Sequence, residues 1–249
     1  MSEIVISVHN LTKSFGKFIA VNNISFDVYR GEIFGFLGAN GAGKTTAMRM
    51  LSGLSYPTSG KGMVAGFDIS REGEMIKRNI GYMSQRFALY NTLTVGENIN
   101  LFAGIYGLSK KSAAKRTEEL LAELKFSSER DTLVGSLPLG WKQKLSFAIA
   151  TVHNPAVVFL DEPTSGVDPV TRRQFWEMIY RAAERGTTIF VTTHYMDEAE
   201  YCSRVSIMVD GEMRALDTPA RLKEEFNAES MHDLFRTLAR DAERGELYP

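Results

Sequence analysis

Only one cysteine, Cys202, occurs in 249 residues. A single thiol excludes an internal disulfide and suits a reducing cytosol. No sign of charge dominates: 29 Lys and Arg against 30 Asp and Glu leave a net charge of −1. A nucleic-acid binder would show a basic excess or stripe, so no nucleic-acid partner is expected. No apolar run approaches the ~20 residues of a membrane-spanning helix. Met1-Ser2-Glu3-Ile4 lacks the charged start and apolar core of a secretion signal. Any membrane role would be borrowed from a partner. With no internal repeat and no low-complexity linker, the length fits one α/β domain with ample core.

The densest information lies in Gly38-Ala39-Asn40-Gly41-Ala42-Gly43-Lys44-Thr45, which fits Gly, four residues, Gly-Lys-Ser/Thr. An apolar run, Ile33 to Leu37, precedes it as a buried strand, and Thr45 to Leu54 follows as a helix. In that context successive backbone N–H groups form a nest for phosphates, and the helix N-terminus adds its positive dipole end. Lys44 supplies a point charge between the terminal phosphates. Contacts to a nucleoside triphosphate are expected from residues 38–45 and from Thr46.

Downstream, the apolar run Ala156 to Leu160 delivers Asp161-Glu162-Pro163. Ligands bind off the carboxyl ends of parallel strands, so Asp161 would face the same crevice as the Gly-rich loop. With the Thr45 hydroxyl it can hold Mg²⁺, a hard cation that seeks oxygen. Glu162, left free, is the candidate to polarise a water for in-line attack on a γ-phosphate.

The run Phe159-Leu160-Asp161-Glu162-Pro163-Thr164-Ser165-Gly166-Val167-Asp168 closely resembles the Walker B and D-loop segments of ATP-binding cassette (ABC) ATPases, and the likeness covers nearly the whole chain. On this resemblance Phe15 stacks on adenine, Gln85 is the Q-loop glutamine and His194 the switch histidine. It implies that His194 donates to the γ-phosphate and that Gln85 reaches Mg²⁺ or the attacking water. Ser165 and Asp168 would lie at a dimer contact, with two domains sandwiching two ATP molecules head to tail.

The other half of each composite site normally comes from a Leu-Ser-Gly-Gly-Gln-like signature that opens a helix. Here the segment is Leu137-Pro138-Leu139-Gly140-Trp141. Pro138 offers neither hydroxyl nor N–H, although its fixed φ suits a first helical turn, and Leu139 adds a side chain where close approach is wanted. The helix from Lys142 to Ala150 still presents free first-turn N–H groups to an anion. A working but altered site is expected.

The resemblance implies an α/β fold with a RecA-like P-loop ATPase core (1–92 and 151–218), an N-terminal antiparallel β subdomain, a helical insertion (93–150) and a short C-terminal helical tail (219–249). Short alternating runs such as Ile24-Ser25-Phe26-Asp27-Val28 read as the antiparallel strands. Thr94-Val95-Gly96-Glu97 signals the start of the insertion. The tail, mixed in charge, reads as a solvated face. Between Gln85 and Thr94, Arg86-Phe87-Ala88-Leu89-Tyr90-Asn91-Thr92-Leu93 is rich in apolar side chains. These either anchor the insertion or form the family's groove for a transmembrane partner. The functional expectation is the ATP-hydrolysing subunit of a transporter at the cytoplasmic face of a membrane, an exporter by general resemblance. Its partners would be transmembrane permease subunits and a second nucleotide-binding domain, as homodimer or heterodimer. The alternatives are a soluble ATPase of an assembly system and a structural ATP binder with weak hydrolysis.

Overall fold

A computed structural model of the chain describes residues 3–85 and 87–247. Arg86 of the apolar loop and residues 1, 2, 248 and 249 lie outside the described residues. Two sheets face one another. In the first, β1 (Ile4–Phe15) and β2 (Phe18–Tyr29) form a long hairpin, extended by β4 (Ser59–Val64) and β5 (Phe67–Asp68) in the order β2-β1-β4-β5, all antiparallel.

The second has six strands: β10 (Glu212–Asp217), β9 (Arg204–Val209), β3 (Ile33–Gly38), β8 (Thr188–Thr193), β7 (Val157–Asp161) and β6 (Ile80–Met83), in that spatial order. Every pairing is parallel except β10 with β9. Strands β3, β7 and β8 are buried at every position. Both of their faces are covered, which is why their sequences run apolar without alternation.

Aromatic packing joins the sheets. Phe26 of the antiparallel sheet stacks on Phe34 at 5.4 Å between ring centroids, and Phe34, Phe36 and Phe159 surround Phe190 at 5.2–5.5 Å. Burying one such side chain contributes about 1.5–3 kcal/mol, so this cluster is a principal tie between the two sheets.

Helix α1 (Lys44–Leu51) leaves the carboxyl end of β3. It ends earlier than the sequence suggests, at Ser52 and the left-handed Gly53, because glycine accepts the positive φ that stops a helix. After α2 (Gly73–Asn79) come α3 (Val95–Ile105), α4 (Lys110–Leu124) and α5 (Leu139–Ala150). Thr94 and Glu97 form a capping box, each side chain accepting from the other residue's backbone N–H. These three helices bury a core of their own, including Val95, Ile99, Leu120, Leu121, Phe126, Leu145 and Ile149.

Helix α6 (Pro169–Glu184) follows β7, and a 3-10 turn, Met196–Tyr201, follows β8. The C-terminal α7 (Pro219–Glu225) and α8 (Met231–Leu247) overturn the reading of the tail as a solvated face. Leu222, Met231, Leu234 and Leu238 are buried in the same cluster as Met196 and Ala199 of the 3-10 turn. Apolar residues at i, i+3 and i+7 form a stripe that charged neighbours on the outer face hide from a compositional reading.

Candidate active site

Gly43 begins the site. Its φ of 97° is left-handed, and a Cβ there would lie 2.2 Å from the Ala20 carbonyl oxygen, so only glycine lets the loop pass under β2 and enter α1. Lys44, 4 % exposed, folds back into the loop, its Nζ donating to the carbonyls of Gly38 and Ala39 at 2.9 Å each. Burial lowers its pKa, and the nearby carboxylates of Glu162 and Asp161 oppose that shift. Ala39, Asn40, Gly41 and Thr45 are exposed, Thr46 is half-buried and Ala42 is buried. Phe15, expected at adenine, stands at the end of β1, 56 % exposed, with Lys13 Nζ 5.1 Å from its ring centre.

Parallel pairing sets the second wall. Asp161 is in register with Thr192 across β7 and β8. Its Oδ1 accepts from the Thr192 hydroxyl at 2.7 Å and from the Thr45 hydroxyl at 3.4 Å. The buried carboxylate therefore meets the Gly-rich loop as the sequence implies. Burial pushes the phenol of the half-buried Tyr82 up to about 12, and the Asp161 carboxylate adds to the rise. Thr192 went unrecognised in the sequence. It also accepts the Glu162 N–H, through both its hydroxyl and its carbonyl at 3.1 Å. A pair of threonines closing an otherwise apolar strand was the available signal.

Glu162 is not free. It sits in the left-handed region, φ 48°, which turns its side chain back over the loop. Gln85 Nε2 donates to its Oε2 at 3.0 Å, His194 Nδ1 lies 3.1 Å from that same oxygen, and Lys44 Nζ is 3.8 Å from Oε1. The His194 contact is close but lacks hydrogen-bond alignment. Three side chains separated by up to 150 positions thus converge on one carboxylate. The hydroxyl of Thr45, the carboxylate of Asp161 and the amide oxygen of Gln85 are hard oxygen donors that would suit Mg²⁺.

The signature and D-loop residues meet elsewhere. Asp168 caps α6, its Oδ1 accepting from the backbone of Val170 and Thr171 at 3.0 Å. The Thr171 hydroxyl at 2.6 Å, first among these bonds, holds the carboxyl below its usual range. Ser165 N–H donates to the Glu162 carbonyl at 3.2 Å, closing the turn that leads from β7 toward α6. Pro138 occupies the N-cap of α5 and not its first turn. Its carbonyl accepts from both Trp141 and Lys142, so fewer first-turn N–H groups remain for an anion than the sequence suggests. Leu137 is buried, Leu139 is 47 % exposed, and Trp141 stacks on Phe126 at 4.4 Å. At Gly140 a Cβ would come within 2.5 Å of Thr171 Cγ2, so this glycine lets α5 approach α6.

The loop after Gln85 bridges two cores. Phe87 packs on the cluster beneath the parallel sheet and Leu89 on that of the helical insertion. Together with Met83, Phe102, Tyr106 and Ile149 they line a narrow cavity of about 40 Å³. Beside it Ala88 is exposed, and Tyr90 (51 %), Leu101 (38 %) and Ile105 (63 %) show apolar surface to solvent. A more spacious cavity of about 420 Å³ between α4 and α6 lies away from these residues, lined by Arg116, Glu123, Met178 and Arg185. Its Arg116 and Arg185 are already paired with Glu123. No described helix is long and apolar enough to cross a membrane.

The model of a family described as ABC transporter matches residues 21–165. The probable multidrug ABC transporter ATP-binding protein YbhF of Escherichia coli (strain K12) is 46% identical over 221 residues, 89% of this chain but only 38% of that protein. The linearmycin resistance ATP-binding protein LnrL of Bacillus subtilis (strain 168) is 37% identical over 219 residues, 88% of this chain and 70% of its own. Among solved structures, a dimeric post-hydrolysis state of the ATP-binding cassette MJ0796, bound to ADP and Pi, superposes with a TM-score of 0.76 at 25% identity, covering 86% of this chain and 98% of the other.

Proposed function

The chain belongs to the ABC transporter family of ATP-binding proteins, and from that premise we propose that it is the ATP-hydrolysing subunit of an exporter. The observation that carries the reading is the convergence of Lys44, Gln85 and His194 on Glu162. Residues 38–46 bind the phosphates, and Phe15 stacks on the base. Thr45, Asp161 and Gln85 hold Mg²⁺, which when bound neutralises charge on the terminal phosphates. Glu162 accepts a proton from the attacking water, whose lone pair moves toward the γ-phosphorus as the bond to the β–γ bridging oxygen breaks and ADP leaves with that electron pair. His194 donates to the oxygens on which charge develops. In-line geometry and pre-placed donors, without a covalent intermediate, account for the rate.

Leu137 to Trp141, with Ser165 and Asp168, complete the site of a second copy or a related chain, as the dimeric cassette above suggests. Residues 93–150 act as a subdomain distinct from the core. The exposed apolar surface of Ala88, Tyr90, Leu101 and Ile105 receives a transmembrane permease at the cytoplasmic face of the membrane. The multidrug and linearmycin-resistance relatives support export as the direction, and the membrane subunits choose the cargo.

Glu162→Gln keeps the side-chain shape and removes the base. It is expected to retain MgATP affinity while turnover falls at least about 100-fold, and to hold an ATP-bound dimer in sedimentation. Lys44→Ala is expected to lose nucleotide binding instead. Equal loss of binding in both variants, measured with a fluorescent ATP analogue, overturns the assigned roles.

A further inference from the structure

Glu198 is fully buried in the 3-10 turn after β8, and no step above uses it. A buried carboxyl without partners is costly enough that its contacts define what it does. Its Oε1 accepts from the Thr164 hydroxyl at 2.5 Å and lies 3.7 Å from Arg172 Nε. Thr164, 1 % exposed, stands two residues beyond Glu162, inside the turn closed by the Ser165 N–H to Glu162 carbonyl bond. Arg172, on α6, lays its guanidinium 4.4 Å over the Tyr195 ring, and Tyr195 lies 4.2 Å from the His194 ring, centroid to centroid. One side chain thus touches the loop that follows the base and, through Arg172 and Tyr195, the histidine.

We propose that Glu198 is a positioning residue for hydrolysis: it fixes the turn that holds Glu162 in its left-handed conformation and, through Arg172 and Tyr195, the orientation of His194. This rests on the reading of Glu162 and His194 as working groups. The physical case is one of restraint. A left-handed non-glycine residue persists only where its surroundings over-determine it, and the bonds that Glu162 donates to Thr192 and accepts from Ser165 fix only its own peptide groups. The Thr164 hydroxyl anchors the next peptides to a group that does not move with them. The second oxygen of Glu198 and the Arg172 Nε make no hydrogen bond among the described residues. The carboxyl is held by the hydrogen bond from Thr164 and by charge to Arg172, which also lies 3.6 Å from Asp197, so removing that hydroxyl loosens the carboxyl against the loop and against Arg172.

The test pairs Glu198→Ala with Thr164→Val, which deletes one hydroxyl at nearly constant volume, and reads two quantities. In steady-state ATP hydrolysis both variants are expected to lower kcat about 10- to 100-fold with KM for MgATP within about threefold of the parent. Because they break one link, the double variant should be no worse than the poorer single one. In ring-labelled protein without nucleotide, the His194 imidazole resonances should move in both variants. A merely structural role would lower the melting temperature without this split or this shift. A folded Thr164→Val protein with parental kcat and an unmoved His194 signal overturns the proposal whatever becomes of Glu198→Ala. If the parent hydrolyses ATP and Glu162→Gln does not, the functional reading stands independently. If the parent does not hydrolyse ATP, that reading fails, and the histidine signal still decides the link.

Discussion

Gly140 shows how one residue can answer two demands. As part of the signature it is expected to face a phosphate, yet its lack of a side chain also lets α5 lie against Thr171 of α6. Thr171 cannot swing aside freely, since its hydroxyl donates to Asp168 at the cap of the same helix. A carboxylate at Gly140 would therefore disturb folding as well as repel an anion, and would not isolate the second effect. The cleaner experiment is Gly140→Ala. It is expected to cost about 1–3 kcal/mol by overpacking, and Thr171→Ser, which removes the crowding methyl and keeps the cap, should recover most of that loss in urea denaturation. Recovery of stability without recovery of ATP-driven dimerisation would separate the packing role from the phosphate role. Pro138, by contrast, was readable at once, because the loss of a hydroxyl and an N–H needs no coordinates. What the sequence could not show is that its carbonyl engages the next turn's amides.

Elements meet at His153, between α5 and β7, whose ring stacks on Tyr106 at the end of α3, 3.8 Å between centroids. Neither ring nitrogen makes an aligned hydrogen bond among the described residues. Burial lowers the imidazole from 6.5 to about 4, against a weaker upward pull from the Ile80 backbone. A group lowered on folding binds fewer protons in the folded chain than in the unfolded one between those two values. Its contribution is complete above about pH 6.5 and is lost as pH falls toward 4, on the order of 1–3 kcal/mol. His153→Phe keeps the stack and removes the titration. The drop in unfolding free energy between pH 7 and 4.5 should accordingly be smaller in the variant, and an equal drop would refute the assignment. Strand and helix order at this scale was largely legible, because apolar runs, capping residues and glycines are local signals. The bond from Thr192 to Asp161 was not, since it exists only in the parallel register of β7 and β8. Nor was the burial of α8, whose stripe of Met231, Leu234 and Leu238 gains meaning only once the 3-10 turn is there to receive it.

Across the whole molecule, the parallel sheet and the helical insertion keep separate cores, and the loop after Gln85 has one apolar side chain in each. The anchoring reading therefore applies to these two side chains, and a partner groove is proposed only for the exposed residues beside them. Phe87 and Leu89 anchor, while Ala88 faces outward. Charged replacement of the two anchors would injure the fold, so the partner surface is better probed at Ala88. Ala88→Arg is expected to leave ATP hydrolysis by the isolated chain within about twofold and to abolish co-purification with a membrane subunit or coupled export. Normal export by that variant would move the docking surface elsewhere.

The seating of α8 on the 3-10 turn has a mechanical consequence. That turn starts two residues after His194, and Leu234 and Leu238 share its packing with Met196 and Ala199. The last helix is thus a handle on the histidine. A tag, a linker or a neighbouring domain that tugs on it would pull on the turn beside His194, bypassing both the Gly-rich loop and the loop after Gln85.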